Sequence, residues 1–181
     1  LQNTKEMLLK AKREKYSVGA FNFTNLETLQ GILEAAEEEK SPVILQTSSS
    51  AIKYMGLRIY CKNDWSSIKK FALHLDHGGS FEIAKECIDA GYTSVMIDMS
   101  SKPYEENVAE TRKVVEYAHL RNVTVEAEIG TLAGVEDEVN VSEEHAIYTK
   151  PEEALKFATE TGVDSLAIAI GTSHGAYKFK G

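Results

Sequence analysis

The sequence predicts an α/β fold of the (β/α)8 barrel type, present as about six βα units. Three observations predict it. Apolar, β-prone runs alternate with helical patterns along the whole chain, which calls for parallel strands joined by helical crossovers. Polar residues stand at or just past the C-terminal end of each run: Asn22, Ser48, Asp76, His77, Asp98, Glu128 and Thr172-Ser173-His174. Barrel enzymes keep their chemistry at that end of the strands. The first run also lacks the glycine-rich phosphate fingerprint of an open, doubly wound dinucleotide fold. A complete barrel takes about 250 residues, and the chain has 181. Six units leave two open strand edges, to be covered by more chain, by a second copy or by an unusual closure.

The elements follow in order. The first strand is Val18 to Phe23. Asn25 then caps a helix to about Lys40, with Leu26, Leu29, Ile32, Leu33 and Ala36 on one face. Ser41-Pro42 ends it. Val43 to Ser48 is the second strand; Ser48 either adds a hydroxyl to a phosphate site or belongs to a plain loop, Ser48-Ser49-Ser50. The third strand, Phe71 to Asp76, precedes a helix from Ser80 to Ala90 that Gly91 stops. The fourth, Ser94 to Asp98, precedes a helix from Tyr104 to about Leu120. Val123 to Ile129 is the fifth. A polar loop from Thr131 to Thr149 leads to a helix from Pro151 to about Thr161, where proline suits the first turn. Ser165 to Ile170 is the sixth strand.

Bulk properties narrow the function. With 43% hydrophobic residues the chain can pack a core. A net charge of −8 argues against a general nucleic-acid surface, which needs clustered Lys and Arg. No apolar run approaches the ~20 residues of a membrane helix. The first residues, Leu1 to Glu6, lack a signal-peptide pattern. Cys61 and Cys87 form no paired-cysteine motif, so a reducing cytosol is the expected compartment.

The segment Phe71-Ala72-Leu73-His74-Leu75-Asp76-His77-Gly78 runs two imidazoles and a carboxylate into the end of a buried strand. Such groups are costly to bury unless hydrogen-bonded, metal-bound or facing a cleft. His77 and His174 end the third and sixth strands, so a barrel brings both to one mouth, where they either share an ion or form separate hydrogen bonds. Asp76 is either an acid/base group or a carboxylate that orients a ligand histidine. Asp98 and Glu128 either hold a second ion or orient the first, or else cap the next helix or pair with a lysine. Gly171 to Lys178 joins glycine-exposed amides to a cation, which suits a phosphate or a plain turn. The acidic runs Glu136-Asp137-Glu138 and Glu143-Glu144 read as a solvated face or as part of a lid.

The chain resembles the class II, metal-dependent fructose-bisphosphate aldolases. The resemblance rests on Val18-Gly-Ala-Phe-Asn22, Ser41 to Ser48, Ala51-Ile-Lys-Tyr54, His74-Leu-Asp-His-Gly78, Ser94 to Asp98, Glu105-Glu-Asn-Val108, Val125 to Gly130, Gly134-Val-Glu-Asp137 and Gly171 to Lys178, in order. It implies a glycolytic lyase that splits fructose bisphosphate reversibly into dihydroxyacetone phosphate and glyceraldehyde 3-phosphate. Asp76 matches the catalytic acid/base, and Glu136 the loop carboxylate that moves the proton of the ketone phosphate. His77 and His174 match ligands of a catalytic zinc; Asp98 and Glu128 match a second, buried divalent-metal position. Asn22, Ser48, Gly175 and Lys178 match substrate-binding positions. Zinc would polarise the ketone oxygen without a Schiff-base lysine.

The family's third zinc histidine lies on a seventh strand, beyond Gly181. The resemblance therefore implies one partial barrel domain over 1–181, holding strands one to six without the seventh and eighth units. It also implies a homodimer or larger assembly and small-molecule partners, sugar bisphosphate and triose phosphates. Tagatose-bisphosphate aldolase and a truncated, non-catalytic paralogue are the alternatives. His77-Gly78-Gly79 and Ala176-Tyr177-Lys178 lean towards the fructose type.

Overall fold

A computed structural model of the chain describes residues 1–56, 71–131, 134–136, 139–141 and 147–171. In chain order the elements are α1 (Thr4–Glu14), β1 (Gly19–Asn22), α2 (Leu26–Glu38), β2 (Val43–Ser48), α3 (Ser49–Met55), β3 (Phe71–Gly78), α4 (Phe81–Asp89), β4 (Ser94–Ile97), α5 (Tyr104–His119), β5 (Thr124–Ile129), β6 (Gly134–Glu136), β7 (Val139–Val141), α6 (Pro151–Thr161) and β8 (Ser165–Ile168). Six strands form one parallel half-barrel in the order β1-β2-β3-β4-β5-β8. A doubly wound sheet reverses its order at a switch point. Here every strand joins the same growing edge, as in a barrel wall.

The expected helices form where their caps direct. The Asn25 side chain accepts from Thr28 N at 2.8 Å and opens α2, and the Ser80 hydroxyl accepts from Ile83 N and opens α4. Pro151 begins α6, and Gly162, with φ +72°, ends it. Three features depart from the sequence reading. The helix α1 was not foreseen, although Asn3 caps it and Glu6 lies in its first turn. Ser48-Ser49-Ser50 does not form a loop: Ser48 caps α3, accepting from Ala51 N at 3.3 Å. The polar segment after β5 contains an antiparallel ribbon, β6 with β7, above a bridge between Thr131 and Ile147.

Two apolar layers hold the sheet. Residues on its outer face, including Leu45, Leu73, Leu75, Val95 and Val125, pack against Leu29 and Leu33 of α2, Ala84 and Cys87 of α4, and Val114 and Val115 of α5. On the other face, Met7 of α1 packs with Val18, Ile44 and Ala72 near the strand starts. The N-terminal helix thus closes the floor of the half-barrel, the end that serves stability in this architecture. The opposite end is left for polar groups.

Candidate metal centre and catalytic carboxylate

The site begins with an irregularity in β3. Successive side chains of a strand alternate faces, so Asp76 and His77 should point apart. Instead the β3–β4 register shifts between Leu75 and Gly78, and His77 adopts φ +47°. This left-handed conformation is uncommon for a residue with a Cβ and typical of sites that re-aim a side chain. Asp76 keeps the face shared with His74 and Gln46. The twist brings His77 to the same side, against Asp98 and Glu128. Gly78 makes the bulge possible: a Cβ there would lie 2.5 Å from the Met96 carbonyl oxygen and 2.7 Å from Leu75 Cδ2.

His77 Nδ1 lies 2.8 Å from Asp98 Oδ2 and 3.8 Å from Glu128 Oε2. One ligand atom from each of the three residues falls within 4.8 Å of the others. Burial disfavours the charged imidazole, but the Asp98 hydrogen bond and the charges of Asp76, Asp98 and Glu128 outweigh it and raise the His77 pKa to about 9. Burial likewise opposes ionisation of Asp98, yet the bonds from His77 and Ser100 hold its carboxyl below the usual range. The cluster therefore gathers several anions around one cation, the imidazolium. One imidazole nitrogen and two carboxylate oxygens are a donor set that zinc accepts. A metal would take the place of the proton.

Asp76 is held separately. Its Oδ2 accepts from Asn22 Nδ2 at 2.6 Å and its Oδ1 from Gln46 Nε2 at 2.9 Å. Asp98, not Asp76, is the carboxylate that orients His77. Beneath Asp76 the interior stays polar. His74 Nδ1 bonds Ser94 Oγ at 2.8 Å, and Ser94 bonds Thr4 Oγ1, which bonds Thr124 Oγ1. Burial, partly countered by Asp76, lowers the His74 pKa to about 4, so that ring is neutral. Burial and Asp76 push Glu126 up to about 7. With 31% of its side chain open, Glu126 is the member of this set that solvent screens most. Among the described residues no buried side-chain nitrogen or oxygen lacks a partner.

The structure thus brings together Asn22, Asp76, His77, Asp98 and Glu128, with Ser48 level with Asp76 in the β2–β3 register. It joins His77 to Asp98 and Glu128, which the resemblance assigns to a different metal position. Glu136 is the last residue of β6, paired with Val139. His174, Gly175 and Lys178 lie outside the described residues. Sequence reasoning passed over Gln46 and Glu126. A glutamine inside the buried run Val43 to Ser48 was the available signal for the first. For the second it was the two-residue spacing to Glu128, which shares a strand face.

The family model for class-II fructose-bisphosphate aldolase matches residues 2–181. The chain belongs to the class-II fructose-bisphosphate aldolase family. The fructose-bisphosphate aldolase of Thermus caldophilus is 54% identical over 179 residues, covering 97% of this chain and 59% of that protein. The fructose-bisphosphate aldolase of Giardia intestinalis is 50% identical over 181 residues, covering 97% of this chain and 55% of that one. Among solved structures, a putative fructose-1,6-bisphosphate aldolase from Coccidioides immitis superposes with a TM-score of 0.85 at 34% identity, over 96% of this chain and 62% of that chain. The YdjI aldolase of Escherichia coli K12 gives 0.82 at 32% identity, over 96% and 64%. The present chain thus spans about three fifths of the aldolases it matches. Within the aldolase family likeness, the six-strand wall is part of a barrel.

Proposed function

We propose that this chain carries part of the active site of a zinc-dependent fructose-bisphosphate aldolase, cleaving the sugar bisphosphate reversibly to dihydroxyacetone phosphate and glyceraldehyde 3-phosphate. The observation that carries the reading is the His77–Asp98–Glu128 cluster beside a carboxylate, Asp76, fixed by two amide donors. His77 and His174 would hold the catalytic zinc, with Asp98 and Glu128 as the carboxylate ligands of a neighbouring divalent-metal position. A bound zinc would supply a Lewis acid for the ketone oxygen.

The chain's own groups do the rest. Aldol cleavage needs a base for the hydroxyl two carbons from the ketone carbon. Asp76 takes that proton and returns it in condensation. The amides of Asn22 and Gln46 hold the carboxylate in one rotamer, so little reorganisation is needed as the proton moves. Glu136 serves the carbon-bound proton of the ketone product from the segment after β5. Ser48, Asn22, Gly175 and Lys178 bind the substrate. The compartment is the cytosol, and the working form is a homodimer or larger.

The test is a coupled aldol-cleavage assay on the full chain, with and without chelator. Cleavage that stops on chelation and returns with zinc is expected. Cleavage that persists in chelator would sink the zinc chemistry, and an Asp76→Asn variant with wild-type kcat would remove Asp76 from the reaction.

A further inference from the structure

We propose that Asn107 of α5 is a positioning residue for Glu128, acting on the metal centre through the strand backbone. This rests on reading His77, Asp98 and Glu128 as metal ligands. Asn107 is 3% exposed and lies in the interface where Val108, Val114, Val115 and Ala118 of α5 join the apolar core. A polar side chain costs stability there unless its hydrogen bonds are made. Both ends of this amide are used. Nδ2 donates to the Glu128 carbonyl at 2.9 Å, and Oδ1 accepts from the hydroxyl of Thr111, itself fully buried, at 3.1 Å. A carbonyl oxygen can only accept, so the amide must present its NH2 to Glu128 and its oxygen to Thr111. Its orientation is thereby fixed.

The position of that bond gives it a role beyond packing. The β4–β5 pairing ends at Ile97 and Ala127, one residue before Glu128. Two residues after it, Gly130 leaves the strand with φ +81°. On its other edge β5 stays in register with β8 through Glu128 and Ile129, which pair with Ala167 and Ile168, so it is on the β4 side, facing His77 and Asp98, that Glu128 lies past the last paired residue. Its carboxylate is aimed by the peptide planes on either side of its Cα. Asn107 ties down one of those planes from the helix layer, so the carboxylate meets His77 and Asp98 without a side-chain contact from Asn107 itself. Groups that orient a ligating carboxylate typically change metal affinity by 10–100-fold when removed. An effect passed through the backbone belongs at the low end of that range.

The test is Zn²⁺ affinity of the full chain, by competition with a chromophoric chelator, alongside urea unfolding of the metal-free protein. Asn107→Asp keeps the shape but loses the donor; Asn107→Ala loses the whole amide. Both are expected to weaken Zn²⁺ binding about tenfold, and Thr111→Val, which frees the amide to turn, by a smaller factor. Thr161→Val, which removes a buried hydroxyl from α6, should lower stability and leave Zn²⁺ affinity unchanged. Asn107 variants that unfold more easily but bind Zn²⁺ like the wild type would overturn the proposal. If neither Asn107 variant folds, a Thr111→Val affinity equal to wild type overturns it instead. A wild-type chain that binds no Zn²⁺ removes the metal reading and this inference together.

Discussion

His77 and Gly78 show how much of the site is set by two residues. The left-handed turn at His77 puts neighbouring groups on one face, and the absent Cβ of Gly78 lets β4 approach. Gly78→Ala forces a contact against backbone and a buried leucine. A loss of about 1–3 kcal/mol in urea unfolding is expected, the usual range for overpacking. Gln46 is the second instructive residue. Gln46→Met keeps the volume but removes one of the two amide donors, Asn22 and Gln46, that hold Asp76. Under the proposed role of Asp76 as the base, kcat in the aldol-cleavage assay should fall about tenfold, with KM moving less than about threefold. A change confined to KM would mean that Gln46 acts on substrate binding.

At the scale of elements, the floor of the half-barrel is tied by Asp164. It joins Lys5 of α1 at 2.9 Å, His119 of α5 at 2.8 Å and the backbone amide of Val125 in β5 at 2.9 Å. Burial opposes its ionisation, but the Val125 amide, His119 and Lys5 outweigh that and keep its pKa below the ordinary value. A depressed carboxylate pKa contributes stability that is present above the unfolded value, about 4, and is lost as pH falls through the lower folded value. Asp164→Asn should cost about 1–2 kcal/mol near neutral pH. The gap from wild type should close below about pH 4, as read by denaturation across pH. A gap that persists unchanged at acid pH would show that the loss is steric. The same floor explains why α1 was illegible. Its buried apolar residues are Met7 and Ala11, and the buried partners of Met7, Ile44 and Ala72, lie far away in sequence.

For the whole molecule, a metal that binds the folded chain and not the unfolded one must raise its melting temperature by mass action. Zinc at about a hundred times its Kd adds about 2.7 kcal/mol. In a chain of this size that is a shift of roughly 5–10 °C. Differential scanning calorimetry with zinc and then with chelator reads it directly, and an unchanged melting temperature in both would remove the metal centre. Among the described residues no helix is long and apolar enough to cross a membrane.

The βα alternation, the parallel wall and most strand ends were legible because apolar period and turn residues are local signals. So was the polar end of the sheet, since Asn22, Asp76, His77, Asp98 and Glu128 each close an apolar run. Which of these groups would meet was decided only in three dimensions. Period-two alternation puts Asp76 and His77 on opposite faces, and a register shift with a positive φ overrides it. Nothing local pairs His77 with Asp98 rather than with Asp76, or makes Gln46 a partner of Asp76 and Asn107 a partner of Glu128. Those contacts join different strands and helices. They exist because the sheet brings the strand ends level, and packing then selects one hydrogen-bond arrangement. The sequence determined the kinds of group available at the barrel mouth; the tertiary structure determined their neighbours, and with them their charge.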